Sequence, residues 1–243
     1  MSRRTYETDR IRVHWDSSKC IHTARCINAA PQVFDPGKRP WVDVEADDAD
    51  VVADAVGRCP SGALWFERVD GGPAEEPQRP TTVVPIDDGP LMVRGDLVVR
   101  DEAGEEIAAE PRLTLCRCGG TKNPPFCDNS HLTRSFRSGR AEVVHDADAE
   151  PVEGPTTIEP TPNGPLHLQG RIVIVNGDGQ RLADLNETWL CRCGRSRSKP
   201  FCDGSHRQGF ESCRERAIAA ERDQAESPGA FAPNRHVEPP ASV

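Results

Sequence analysis

Residues 116–131 read Cys-Arg-Cys-Gly-Gly-Thr-Lys-Asn-Pro-Pro-Phe-Cys-Asp-Asn-Ser-His, and residues 191–206 repeat the pattern as Cys-Arg-Cys-Gly-Arg-Ser-Arg-Ser-Lys-Pro-Phe-Cys-Asp-Gly-Ser-His. Each copy offers three thiols and one imidazole at fixed spacing, which is a complete four-ligand set for metal. The two thiols of each Cys-x-Cys are too close for an easy disulfide with each other. The match runs without a gap from 89–131 to 164–206, at an offset of 75 residues, and includes Gly89-Pro-Leu against Gly164-Pro-Leu, Gly95 against Gly170 and Gly104 against Gly179. Short strands flank the ligands in both copies (Leu97-Val-Val and Leu113-Thr-Leu; Ile172-Val-Ile-Val and Thr188-Trp-Leu). A whole folding unit is duplicated, and a chain built this way folds as small modules around metal.

Composition agrees with small modules. Of 243 residues, 36% are apolar and 5% aromatic, with 20 Gly and 22 Pro. Thin cores of this kind need disulfides or metals as staples. Nine of the ten cysteines fall in three clusters, the third being Cys20, Cys26 and Cys59. No secretory leader and no membrane-length apolar run is read, so a reducing cytoplasm and metal ligation are expected rather than disulfides. The net charge of −9 argues against nucleic acid as partner. Acidic residues gather at 43–54, and basic ones (Arg192, Arg195, Arg197, Lys199, Arg207) in the second copy. These read either as solvated surface or as docking patches for a charged redox protein.

By spacing alone the donor sets suit either a structural zinc or a [2Fe–2S] cluster with two Cys on one iron and Cys plus His on the other. The run Cys-x-Cys-x₂-Ser/Thr-x₃-Pro-x-Cys-Asp-Gly-Ser-His resembles the signature of CDGSH (NEET-type) iron–sulfur proteins. Both copies carry it, through Thr121, Pro125 and Ser130 and through Ser196, Pro200 and Ser205; the one departure is Asn129 in place of Gly. The resemblance implies one [2Fe–2S] cluster on Cys116, Cys118, Cys127 and His131, and a second on Cys191, Cys193, Cys202 and His206. A neutral imidazole in place of a thiolate raises the reduction potential and leaves one pH-sensitive corner. Asp128 or Ser130, and Asp203 or Ser205, are expected to cap a helix whose N–H groups face the cluster.

Upstream, Cys20-Ile-His-Thr-Ala-Arg-Cys26 and Cys59-Pro-Ser-Gly-Ala resemble a divergent mono-cluster ferredoxin domain with Thr23 at the middle cysteine position. Three thiolates match [3Fe–4S]; a [4Fe–4S] form requires a further ligand, with His22 the nearest candidate. Strands are expected at 10–15 and 63–69 and a helix at 47–58 behind Asp47 or Asp48.

The expected architecture is α+β: a ferredoxin-like module (1–70), a linker (71–84), a first β-rich CDGSH unit (85–145), a linker (146–159), a second unit (160–216) and a disordered tail (217–243). The two units are expected to form a pseudo-dimer within one chain, leaving the protein a monomer. No nucleotide-binding fingerprint and no nucleophile–base pair stands out. The expected role is therefore electron transfer with an unidentified reductase or acceptor rather than catalysis. Cluster donation or redox sensing through the His corners is the alternative, and a zinc-stapled interaction protein a more distant one.

Overall fold

A computed structural model describes residues 3–139 and 152–212. The expected tail, Cys213 and the first half of the second linker lie outside the described residues. The N-terminal module is a three-stranded antiparallel sheet, β1 (Arg3–Glu7), β2 (Ile11–Asp16) and β3 (Leu64–Arg68), with two short helices, α1 (Arg25–Ala29) and α2 (Ala49–Gly57). Strand β2 alternates as its sequence demands, with Ile11 and Val13 buried. Helix α2 buries Val52, Ala55 and Val56 against that sheet and exposes Val51. Of its two candidate caps, Asp48 is the one used: its carboxylate accepts from the Asp50 N–H at 3.0 Å.

The two repeat units share one six-stranded sheet. The first unit contributes β4 (Thr81–Pro85), β5 (Leu91–Arg100) and β6 (Glu106–Leu115); the second contributes β7 (Thr156–Pro160), β8 (Leu166–Val175) and β9 (Arg181–Leu190). Within each unit the strands run antiparallel. Between units the pairing is reciprocal and parallel: β4 lies beside β8, and β5 beside β7. Strands β4 and β7 begin inside the two stretches read as linkers. Pro and Gly nearby suggest a linker, but Thr81-Thr-Val-Val-Pro and Thr156-Thr-Ile-Glu-Pro are β-branched and alternate burial in step. One apolar core of Val, Leu and Ile from both units fills the sheet, including Val93, Leu97, Leu113, Leu168, Ile172 and Leu190.

Where the units meet, the Thr81 and Thr156 hydroxyls are 2.7 Å apart and buried. Each lies against the other strands' irregular point. A β-carbon on Gly95 would sit 2.2 Å from Thr81 Oγ1 and 3.0 Å from Thr81 Cα, and one on Gly170 would sit 2.9 Å from Thr156 Cα. The register shifts at these glycines in both units.

The N-terminal module packs on the first unit. Arg112 of β6, 1% exposed, pairs with Glu75 at 2.5 and 2.7 Å and donates to the Leu64 carbonyl at 3.1 Å and to the Cys59 carbonyl. Thr114 donates to Pro60 O at 3.0 Å, and Lys19 pairs with Glu110. Among the described residues no helix is long and apolar enough to cross a membrane. Gly95→Ala places a methyl against β4 backbone and should destabilise the two-unit sheet by about 1–3 kcal/mol; a denaturation midpoint equal to that of the native chain would contradict this packing.

Candidate metal centres

Each unit builds the same cradle on the turn that follows its last strand. The Cys116 N–H donates to Pro125 O at 2.8 Å and the Cys127 N–H to Thr114 O at 2.9 Å, which folds the second half of the motif back onto β6. The second unit repeats this, with Cys191 N to Pro200 O and Cys202 N to Trp189 O, both 2.8 Å. The Thr121 hydroxyl donates to Phe126 O at 2.7 Å and accepts from the Asn123 N–H at 3.0 Å. Ser196 does the same with Phe201 O and the Ser198 N–H. Asp128 accepts from the N–H groups of Lys122 (2.8 Å) and Ser130 (3.0 Å), and Asp203 from those of Arg197 and Ser205, both 2.9 Å. Burial pushes the Asp128 carboxyl up, and these hydrogen bonds outweigh it and hold it below its usual range. The Ser/Thr, Pro and Asp positions of the motif are thus the frame of the cradle.

The donors come together as two pairs per unit. Cys116 and Cys118 have sulfurs 3.6 Å apart, and Cys127 Sγ lies 3.6 Å from His131 Nδ1. In the second unit the pairs are Cys191–Cys193 at 3.7 Å and Cys202–His206 at 3.3 Å. Two sulfurs on one tetrahedral metal at about 2.3 Å lie about 3.8 Å apart, so each pair has the spacing of two ligands on one metal. Among the described residues no three His, Cys, Asp or Glu side chains converge as a site for a single ion. All nine described cysteines are free thiols. Each unit thus presents two donor pairs, Cys–Cys and Cys–His, each at the spacing of two ligands on one metal.

The cradle shifts its thiols in both directions: Cys116 and Cys191 go down, while Cys118, Cys193 and the buried Cys127 go up. The Cys118 thiol, hydrogen bonded to Cys116, lowers the Cys116 thiol to about 6, and is itself raised. Cys191 and Cys193 behave alike, with Cys191 at about 6. Burial and nearby guanidinium groups lower both His131 and His206, keeping the imidazoles neutral, although Asp128 and Asp203 act against this. The Asn129 and Gly204 N–H groups donate to Cys127 Sγ and Cys202 Sγ at 3.4 Å, and the Arg195 N–H to Cys193 Sγ at 3.4 Å.

Helix capping differs from the sequence expectation. The helices after Asp128 and Asp203 are a single turn each, and their caps are Asn129 (φ 68°) and Gly204 (φ 84°) in the left-handed region. Asn tolerates that geometry, so its backbone follows that of Gly. Its side chain does something Gly204 does not: Nδ2 donates to Ile21 O at 2.8 Å in the N-terminal module. Asn123 Nδ2 likewise donates to Ser18 O at 3.1 Å.

Two arginines depart from the sequence reading, which puts Arg192 on a solvated or docking surface and gives Arg117 no role. Arg117 and Arg192, between the paired cysteines, are each 2% exposed. Arg117 donates to Gly89 O (2.7 Å), Ile86 O and Ser138 Oγ (2.9 Å); Arg192 to Gly164 O (2.9 Å) and Thr161 O (2.6 Å), and it pairs with Glu102 at 3.1 Å. Each guanidinium lies 5.6 Å over a phenylalanine, Phe136 or Phe210. Burial lowers Arg117 to about 10, opposed first by the Cys191 thiol of the other unit. The identical residue inside both Cys-x-Cys runs was the available signal. The loops meet at an antiparallel bridge between Cys118 and Cys193; a β-carbon on Gly119 or Gly194 would lie 2.8 or 2.9 Å from the other loop's carbonyl.

In the N-terminal module, Cys20, Cys26, Cys59 and His22 line one cavity of about 520 Å³ with Trp15, Trp41, Ile21, Ile27 and Leu64. His22 Nδ1 lies 3.8 Å from Cys20 Sγ, on a residue with φ 53°. Burial pushes the Cys26 thiol up to about 11 and raises Cys20. Apolar walls with thiol donors and two buried indole N–H groups that meet no nitrogen or oxygen acceptor suit an inorganic cluster, whose sulfides accept such bonds.

Comparison with known families matches residues 6–68 to a divergent 4Fe-4S mono-cluster domain, and residues 88–132 and 163–207 to the iron-binding zinc finger of CDGSH type. The uncharacterized protein YjdI of Escherichia coli (strain K12) is 30% identical over 63 residues, 26% of this chain and 83% of that protein. The YjdI of Escherichia coli O157:H7 matches to the same extent. Thr121→Val keeps the shape and removes the hydroxyl, stranding the buried Phe126 carbonyl and the half-buried Asn123 N–H. It should cost about 1–3 kcal/mol, read as a lower denaturant midpoint for loss of iron absorbance; an unchanged midpoint would show that the hydroxyl does not hold the frame.

Proposed function

Because this chain belongs to the CDGSH iron-binding family, with a divergent mono-cluster domain ahead of its two CDGSH units, we propose that it is a multi-cluster electron carrier. The observation that carries the reading is the double pair of donors in each unit, at 3.3–3.7 Å. Cys116, Cys118, Cys127 and His131 would hold one [2Fe–2S] cluster, and Cys191, Cys193, Cys202 and His206 the other. The reciprocal strand pairing and the Cys118–Cys193 bridge support an intrachain pseudo-dimer.

When bound, such clusters supply one-electron oxidation and reduction. The chain's own residues exclude water, donate N–H groups to the ligand sulfurs and set buried guanidinium charge beside an anionic centre. Arg117 and Arg192 stabilise the added negative charge of a reduced centre, which raises its potential. Each guanidinium charge acts on its own unit's imidazole, disfavouring its protonation, and Cys191 acts on Arg117 across the two units.

For the N-terminal cavity the reading is a [4Fe–4S] cluster with His22 completing the three thiols. The imidazole lining the same cavity and the four-iron description of the matched family support it over the three-thiol [3Fe–4S] form. Anaerobically purified protein should contain iron and acid-labile sulfide in equal amounts and no stoichiometric zinc. Colourless protein with stoichiometric zinc would refute the carrier reading. His22→Ala should add the electron paramagnetic resonance signal of an oxidised three-iron centre and leave the CDGSH signals in place; an identical spectrum would remove His22 as a ligand.

A further inference from the structure

The N-terminal module occupies a particular face of the first unit. Thr114, Asn123, Phe126 and Asn129 all meet it: three by hydrogen bonds to the carbonyls of Pro60, Ser18 and Ile21, and Phe126 by Lys19 at 5.2 Å from its ring. Under this cover Phe126 is 7% and Cys127 3% exposed.

Seventy-five residues on, the same face of the second unit carries Trp189, Ser198, Phe201 and Gly204. No part of the described chain lies over it in the same way. Trp189 is 45% exposed, and Phe201 and Cys202 are only half-buried. The Trp189 indole is held in place by stacking on His167 at 4.6 Å, whose Nε2 meets Glu187 at 2.7 Å. Exposed Arg195, Arg197 and Arg207 stand around the Cys202–His206 edge, and among the described residues none is paired with a carboxylate. The nearby acids are already engaged, Glu187 by His167 and Asp203 by backbone N–H groups. A fixed, exposed tryptophan on the strand that holds the Cys202 loop, in a unit that also exposes arginines without a carboxylate partner among the described residues, has the composition of a protein-binding hot spot.

We propose that this Trp189 face is a docking site for a separate acidic redox protein, seated on the second unit as the N-terminal module is seated on the first. The site rests on the electron-carrier reading, since the covered edge is the Cys202–His206 side of the second cradle. Charge selects the occupant: three exposed guanidinium groups that pair with no carboxylate among the described residues favour an acidic partner. A second copy of the N-terminal module does not serve. The carbonyls it would present (Pro60, Ser18 and Ile21) are already taken by its own first unit.

The test uses the full chain with cluster content confirmed by absorption, titrated calorimetrically with an acidic plant-type [2Fe–2S] ferredoxin as probe and basic cytochrome c as control. The ferredoxin should bind, more weakly as salt rises, and cytochrome c should not. Trp189→Thr, which installs the residue of the first unit, and Arg197→Glu should each weaken binding at least about tenfold, or about 1.4 kcal/mol. Val69→Thr, on an exposed site of the N-terminal module, should bind as the native chain does. No binding of the ferredoxin by cluster-loaded protein, or unchanged affinity in both variants, would overturn the proposal. Hydroxyl-radical footprinting of Trp189 without any partner closes the other routes. Protection at every concentration would mean that the chain covers its own face, and protection growing with concentration would mean a second copy; either result overturns the proposal. Loss of the clusters themselves would refute the carrier reading instead, and absorption reports that separately.

Discussion

The two halves of the repeat can hold metal side by side because their Cys-x-Cys loops touch at the backbone. Cys118 bridges Cys193, and this approach is open only to chains with no side chain at the next position, which is why Gly119 and Gly194 follow. The crossed pairing of β4 with β8 and of β5 with β7 then aligns the loops, and the Thr81–Thr156 contact sets the distance between strands. Neither unit closes its sheet alone. The cradles inherit their rigidity from a shared core, and each carries a buried arginine between its paired cysteines.

Much of this was legible in the sequence, and for a physical reason. Ligand spacing is local, so Cys-x-Cys and Cys-x₃-His state their own pairing. The framing roles of Thr121 and Asp128 are local too, reaching over five or six residues. The strands Thr81–Pro85 and Thr156–Pro160 were missed because Pro and Gly dominate the flanking stretches, yet they obey the same offset as the rest of the repeat. Arg192 reads from the sequence as solvated or docking charge and Arg117 draws no reading, since burial of a guanidinium depends on carbonyls 28 and 31 residues away that no local pattern announces. The Asn at position 129 was recognised as a departure, but its reason lay in a different module.

That departure divides two otherwise equal units. Asn129 and Asn123 hold the N-terminal module, whereas Gly204 and Ser198 at the matching positions hold nothing of it. Duplication produced symmetry, and a few side chains then gave the copies different surroundings. Cys127 of the first cradle is buried, whereas Cys202 of the second is half-buried in a unit that exposes Arg195, Arg197 and Arg207.

Glu75 carries a last consequence. It belongs to the connecting segment, yet it grips Arg112 in two places beneath the N-terminal module. A cut in that segment would do more than separate two beads on a string. If it freed Glu75, it would leave Arg112 with backbone carbonyls alone, at a cost of about 3–5 kcal/mol where a buried pair loses one partner. The connection can therefore lengthen or shorten only on either side of a riveted point, and the seat of the N-terminal module on the first unit is held at Glu75 as well as at the module itself.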